Sequence, residues 1–217
     1  MIETLVLFGA SGDLAGRFLL PALAALHASG RLPDDFGVVG AARSDWDDQA
    51  FQRHAGERLE EHAADVPLAA REALIRALRY QPVDLQDADS VAGVIGTAGP
   101  RPLAAYLALP PAVFPVTITG LKRIGLPRGS RVAVENPFGE DLDGAIALNA
   151  LLAEVSGAAG EQAVFRVDHV LGMATVQNLL GLRLANRLLE PLWNSVHIEQ
   201  IEVLWEETLA LEDRAGY

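Results

Sequence analysis

Short apolar runs with few polar breaks alternate with stretches of helical period through the first 155 residues. The runs TLVLFG (4–9), FGVVGAA (36–42), LRYQPVDL (78–85), LAAYLAL (103–109) and RVAVENP (131–137) predict strands. Their near-continuous apolar character is what parallel strands covered on both faces require. Helices are predicted near 13–29, 47–78, 87–97, 111–124 and 141–155. In the first of these Leu14, Phe18, Leu19, Leu23 and Leu26 share one side, and Ser29-Gly30 closes the pattern. Strand and helix in regular succession predict an α/β domain with a doubly wound parallel sheet over residues 1–160.

The rhythm changes beyond about residue 162. AVFRVDHV reads as a strand, and 172–189 reads as a helix with Val176, Leu179, Leu180, Leu184 and Leu188 on one face. HIEQIEVLWEET (197–208) then alternates Ile201, Val203 and Trp205 against Glu202, Leu204 and Glu206. Strict alternation predicts a half-exposed strand of an antiparallel sheet. Residues 161–217 therefore read as the beginning of a second, α+β domain, incomplete because one strand makes no sheet. An unpaired edge carrying Ile201, Val203 and Trp205 invites self-association. There is no internal repeat and no low-complexity linker.

Composition narrows the function. The net charge of -12 argues against nucleic acid as a partner, since phosphates need a basic face. It leaves an anionic small ligand open, because sites are local. With no cysteine, disulfides, thiolate catalysis and thiolate-bound metals are excluded. The N-terminal apolar run lacks a basic leader and ends in Gly and Asp, as a buried strand does and a signal peptide does not. No stretch is expected to reach the roughly 18 apolar residues of a membrane span. The expected setting is cytoplasmic, with no membrane partner.

The first strand runs into LVLFGASGDLAGR. Gly9, Gly12 and Ala15 recur every third residue between a strand and a helix. Small residues there allow a tight turn, close approach of backbone N–H groups to a pyrophosphate and close helix-to-strand packing. The strand-turn-helix context turns a weak glycine pattern into a Rossmann-type dinucleotide signature, against the alternative of a glycine-rich turn with no ligand. At the end of the second strand, an acidic residue would accept a ribose 2′-OH and an arginine would suit a 2′-phosphate. Arg43 holds that position in VVGAARSD, so NADP is the expected cofactor, with Ser11 and Ser44 as added hydroxyl donors. Asp45 keeps NAD in play, and a solvated surface arginine is the other reading of Arg43.

Further on, FRVDHVLG delivers Asp168 and His169 to a strand's end just before a glycine. The pair reads either as working parts of a site or as a satisfied polar pair capping the next helix. His27, His54 and His62 fall in helix patterns and are expected to be solvated; His197 precedes a strand and is expected to be exposed. No His-x-x-x-His spacing or carboxylate cluster occurs, so no metal site is expected.

The segments GASGDLAGRFLLPAL (9–23), GAARSD (40–45), YLALPPAVF (106–114), RVAVENPFGEDLDGAIALN (131–149) and FRVDHVLGMATVQNLLGLRLANRLLEPLWN (165–194) together resemble the N-terminal portion of the glucose-6-phosphate dehydrogenase family, and EETLALEDRAGY (206–217) continues the likeness. The resemblance implies NADP-dependent oxidation of glucose 6-phosphate at C1 to the lactone, the entry step of the pentose phosphate pathway. It implies that Gly9, Ala10, Ser11, Gly12, Asp13, Leu14, Arg43, Ser44, Ala108, Leu109 and Pro110 border the dinucleotide. It further implies that Asp168 orients a catalytic histidine found later in the family's chains. His169 would bind the sugar phosphate, and Glu207 would hydrogen-bond sugar hydroxyls.

Four departures accompany the resemblance. Phe18, Asn136 and Met173 stand where the family has lysines. Charge-assisted hydrogen bonds are each worth roughly 1.5–3 kcal/mol, so a sugar phosphate would be held weakly. The family's general-base histidine lies beyond a segment that ends here at Tyr217. The expectation is an impaired or inactive 217-residue chain, either a fragment or a natural short relative. The alternatives are a non-catalytic NADP-binding relative and a dehydrogenase of an unphosphorylated sugar.

Overall fold

A computed structural model describes residues 2–202 and 204, with Asp34 and Glu140 excepted. The chain divides into two compact units, residues 1–167 and 168–217.

In the first unit, six strands form one sheet: β1 (Thr4–Phe8), β2 (Gly37–Ala42), β3 (Leu78–Pro82), β4 (Leu103–Leu107), β5 (Arg131–Glu135) and β6 (Val164–Val167). The spatial order is β3-β2-β1-β4-β5-β6, and every pairing is parallel. The order reverses at β1 and β4, whose registers run from Thr4↔Leu103 to Phe8↔Leu107. A doubly wound sheet binds ligands in the crevice at such a switch point.

The side-chain period of two sorts the core onto both faces. On one face Val6 and Phe8 of β1 meet Leu103, Ala105 and Leu107 of β4. They pack with α4 (Ala88–Thr97), α5 (Phe114–Ile124) and α6 (Leu142–Ser156). On the other, Leu5 and Leu7 pack with α1 (Leu20–Ala28), α2 (Asp48–His62) and α3 (Leu68–Ala77). Asp47, Asp87 and Asp141 cap α2, α4 and α6 by accepting from backbone N–H groups in the first turn.

Four expectations change. The helix expected over 47–78 is two helices, because Pro67 cannot donate and holds Val66 away from helical geometry. In the first helix Ala15, Leu20, Leu23 and Ala24 face the core while Phe18 is 56% exposed. The π-helical turn Ala15–Leu19 lengthens each hydrogen-bonded loop by one residue and rotates the apolar stripe. The strand at 164–167 pairs with β5, Val132↔Val164 to Glu135↔Val167. It therefore completes the parallel sheet, and the boundary expected at 160 falls between Val167 and Asp168. Finally, residues 142–163 are long and apolar enough to cross a membrane by composition. Regular α-helix, however, ends at Ser156, before Gly157 at φ 52°. Fifteen residues of α6 span about 22 Å, short of the ~30 Å hydrocarbon core.

The second unit contains a 3-10 turn (His169–Gly172), α7 (Ala174–Leu184) and a second 3-10 turn (Glu190–Leu192). None of its described residues is buried. The helix expected over 172–189 stops at Leu184, and on its expected apolar face Val176 is half-buried while Leu179, Leu180 and Leu184 are exposed. Of the strand expected at 197–208, the described residues 197–202 and 204 form no strand. A strand needs a hydrogen-bonding neighbour, and among the described residues every paired strand belongs to the sheet of the first unit. Val203, Trp205, Glu206 and Glu207 lie outside the described residues.

Candidate dinucleotide site

β1 leads directly into the glycine turn. Gly9 takes φ +82°, a left-handed conformation that favours glycine, and a side chain there would strike the Ala108 carbonyl. The turn closes by Gly12 N–H donating to the Gly9 carbonyl at 2.9 Å. The turn and the strand end that leads into it are tied to both neighbouring strands. Gly9 N–H donates to Ala41 O at 2.8 Å, Ala10 N–H to the same oxygen at 3.3 Å, and Ala108 N–H to Phe8 O at 3.1 Å. A helix starts at Asp13, and the first N–H groups of a helix lack intrahelical acceptors, so this end favours an anion. Gly16 lets α2 approach: a Cβ there would sit 2.8 Å from Cδ of Arg58.

A cavity of about 610 Å³ opens at this switch point. It is lined by Gly9, Ser11, Gly12, Ala42, Arg43, Ser44, Leu85, Gln86, Ala108, Leu109, Pro110 and Val113. Eight of these are residues expected from the sequence: Gly9, Ser11, Gly12, Arg43, Ser44, Ala108, Leu109 and Pro110. Three expected residues do not line it. Ala10 is fully buried behind the turn. Asp13 opens the helix and pairs with Arg17 at 3.4 Å. Leu14 is half-buried in the first helical turn. Ala42, Leu85, Gln86 and Val113 were not singled out from the sequence. Each follows or closes a strand, and the rule that crevices form at strand carboxyl ends is the signal that finds them.

Arg43 is exposed and borders a second cavity of about 390 Å³ with Pro82, Val83 and Asp84. Among the described residues Arg43 forms no ion pair, and Asp45 does not reach it. Its guanidinium is thus a cation beside the cavity that no carboxylate among the described residues pairs with. The adjacent Ser44 carbonyl accepts from the Tyr80 hydroxyl at 2.9 Å. Outside the cavity lining, the Tyr106 hydroxyl donates to Glu135 and ties the ends of β4 and β5 together. Burial first, and the Glu135 carboxylate second, push the Tyr106 phenol far above its ordinary pKa.

The residues present fit a dinucleotide: an amide-rich turn with no room for a side chain at Gly9, a helix N-terminus, a roomy apolar cleft and a cation after β2. Two expected-solvated histidines are not free in water. Nε2 of His54 and of His62 are both buried, and the His54 ring packs 5.0 Å from Trp46.

In the second unit, Asp168 accepts from Val170 N–H at 3.0 Å and so caps the 3-10 turn that follows. His169 Nδ1 lies 4.0 Å from the Asp168 carboxylate, and its side chain is 71% exposed. The cap is made by Asp168 alone and serves the 3-10 turn, whereas α7 follows Met173 with no side-chain cap. Of the positions where lysines were expected, Phe18 and Met173 are exposed apolar side chains, and Asn136 is exposed with its N–H donating to Val167 O at 2.9 Å.

The sequence model described as "Glucose-6-phosphate dehydrogenase, NAD binding domain" matches residues 6–178. The chain belongs to the glucose-6-phosphate dehydrogenase family. The family's C-terminal domain matches residues 180–217. The glucose-6-phosphate 1-dehydrogenase of Zymomonas mobilis subsp. mobilis is 39% identical over 221 residues, covering 100% of this chain and 45% of that protein. The Rhizobium meliloti glucose-6-phosphate 1-dehydrogenase is 38% identical and covers 98% of this chain and 44% of its own length. The crystal structure of glucose-6-phosphate 1-dehydrogenase from Mycobacterium avium superposes with a TM-score of 0.74 at 31% identity, over 89% of this chain and 42% of that one. A glucose-6-phosphate dehydrogenase solved with its substrate glucose-6-phosphate gives 0.74 at 29% identity, over 90% and 42%. The chain thus spans less than half the length of these family members.

Proposed function

We propose that these residues are the NADP-binding part of a glucose-6-phosphate dehydrogenase. The whole reaction is oxidation of glucose 6-phosphate at C1, and NADP supplies the hydride acceptor when bound. The observation that carries this reading is the cavity at the β1/β4 switch point, bordered by Gly9, Ser11 and Gly12 on one side and Arg43 and Ser44 on another. The turn and helix N-terminus would hold the diphosphate, and Arg43 with Ser44 would hold the 2′-phosphate. Calorimetric titration tests it. NADP is expected to saturate one site and bind more tightly than NAD. Arg43→Ala is expected to weaken NADP by about 10- to 100-fold while sparing NAD, the loss of one charge-assisted contact. Equal affinities in the wild-type protein would refute the role given to Arg43.

Asp168 and His169 are proposed as the orienting and phosphate-binding groups that the family resemblance implies, with Glu207 as the sugar-hydroxyl partner. With Phe18, Asn136 and Met173 in place of lysines, the 217 residues are expected to bind glucose 6-phosphate weakly and to turn it over poorly. The same three uncharged side chains favour a second reading, a dehydrogenase of an unphosphorylated sugar. Glucose supporting NADP reduction where its phosphate ester does not would establish that reading. A cytoplasmic setting without membrane or nucleic-acid partners is part of the proposal. So is self-association through the exposed apolar side chains of the second unit, which concentration-dependent sedimentation would reveal.

A further inference from the structure

We propose that Tyr80 is a positioning residue for nucleotide selectivity. Its hydroxyl fixes the turn that carries Arg43 and Ser44, and so sets the preference for a 2′-phosphorylated dinucleotide. The inference rests on the NADP reading above and goes beyond it, since Tyr80 itself does not line the cavity.

Tyr80 lies on β3, one of the two edge strands of the sheet, and is 9% exposed. Its position is fixed from several directions. Its backbone N–H donates to Asp48 Oδ1 at 2.7 Å, anchoring the strand to the start of α2. Its ring packs at 5.2 Å from Phe51 and 5.7 Å from Trp46. From this held ring the hydroxyl reaches the Ser44 carbonyl at 2.9 Å. Trp46 N–H donates to the same oxygen at 3.0 Å. The residue after β2 is otherwise an exposed arginine with no ion-pair partner among the described residues, so little else in the protein orients it. A rotamer-rich arginine loses entropy when it binds, and a fixed backbone beneath it reduces that loss. Burial pushes the Tyr80 phenol above its ordinary pKa, which keeps it a donor at physiological pH.

Removing only the oxygen tests this. Tyr80→Phe keeps the ring packing, and the Ser44 carbonyl retains the Trp46 N–H. Affinities for NADP and for NAD are measured by calorimetry on the 217-residue protein and its variants. Tyr80→Phe is expected to weaken NADP about three- to tenfold, the value of one neutral hydrogen bond, and to leave NAD within about twofold. In an Arg43→Ala background, Tyr80→Phe is expected to have no further effect on NADP, because the two act through one contact. Trp46→Phe leaves the hydroxyl in place and is expected to retain the preference. That variant also decides the matter should Tyr80→Phe not fold. Equal weakening of both dinucleotides by Tyr80→Phe, additive effects with Arg43→Ala, or loss of preference in Trp46→Phe would each overturn the proposal. Equal affinities in the wild-type protein would instead remove the NADP reading itself, before any variant is made.

Discussion

Residues 1–167 and the described residues from 168 onward are both rich in leucine and valine, yet the first region builds a core on each face of a sheet and the second has no fully buried residue among those described. In the first, each apolar stripe has a facing element: α1, α2 and α3 share one face of the strands, and α4, α5 and α6 the other. In the second, α7 carries Leu179, Leu180 and Leu184 with 49%, 44% and 68% of their surface exposed. Apolar periodicity states that a helix has a face to cover; only a second surface covers it. Every residue lining the candidate cavity belongs to the first region.

Substitutions across this divide should give very unequal effects. The largest is expected from Phe51→Ala. The ring is fully buried, and a Cβ on Gly40 would approach it to 2.6 Å. Truncation should cost about 3–5 kcal/mol in denaturant unfolding. Next comes Gly9→Ala, which combines a positive φ with a clash against the Ala108 carbonyl. About 2–4 kcal/mol of stability and the measurable affinity for dinucleotide should both be lost. A smaller effect concerns acid. Burial first, and Arg58 second, hold the His54 imidazole below its ordinary pKa of 6.5. The folded protein therefore takes up this proton later than the unfolded chain. The stability so conferred is complete above pH 6.5 and is lost as pH falls through the folded value. His54→Gln should flatten the thermal midpoint over that interval, and an unchanged slope would show that His54 does not govern it. The smallest effect is expected at Leu184→Ala, within about 0.5 kcal/mol. A loss comparable with that of Phe51→Ala would show that the second region owns a core after all.

Much of this was legible in the sequence where the signal is local. The five strands of the nucleotide unit expected from the sequence appear within a few residues of the runs that predicted them, and the glycine turn sits where its spacing placed it. What escaped depends on contacts between distant residues or on small changes of helical phase. Phe18 turns outward because of a π-helical turn that no periodic template anticipates. Val164–Val167 looked like the start of a new sheet because only the register with β5 reveals its membership. Leu85 and Val113 line the cavity without carrying polar chemistry, and Gln86 lines it through an amide that no motif in its segment marks out. Tyr80 meets Ser44 across 36 positions of sequence, which no pattern in either segment announces.

The glycine turn is hydrogen-bonded to Ala41 near the end of β2, and the last residue of β1, from which the turn springs, is hydrogen-bonded to Ala108 just past β4. Those bonds are formed when the sheet forms, not when a ligand arrives. The cradle proposed for the diphosphate is therefore formed in advance, and an incoming dinucleotide would have little chain to organise around its phosphates. Association there should resemble docking into a mould, with the exposed Arg43 side chain, above a backbone held by Tyr80, left to close on the ligand.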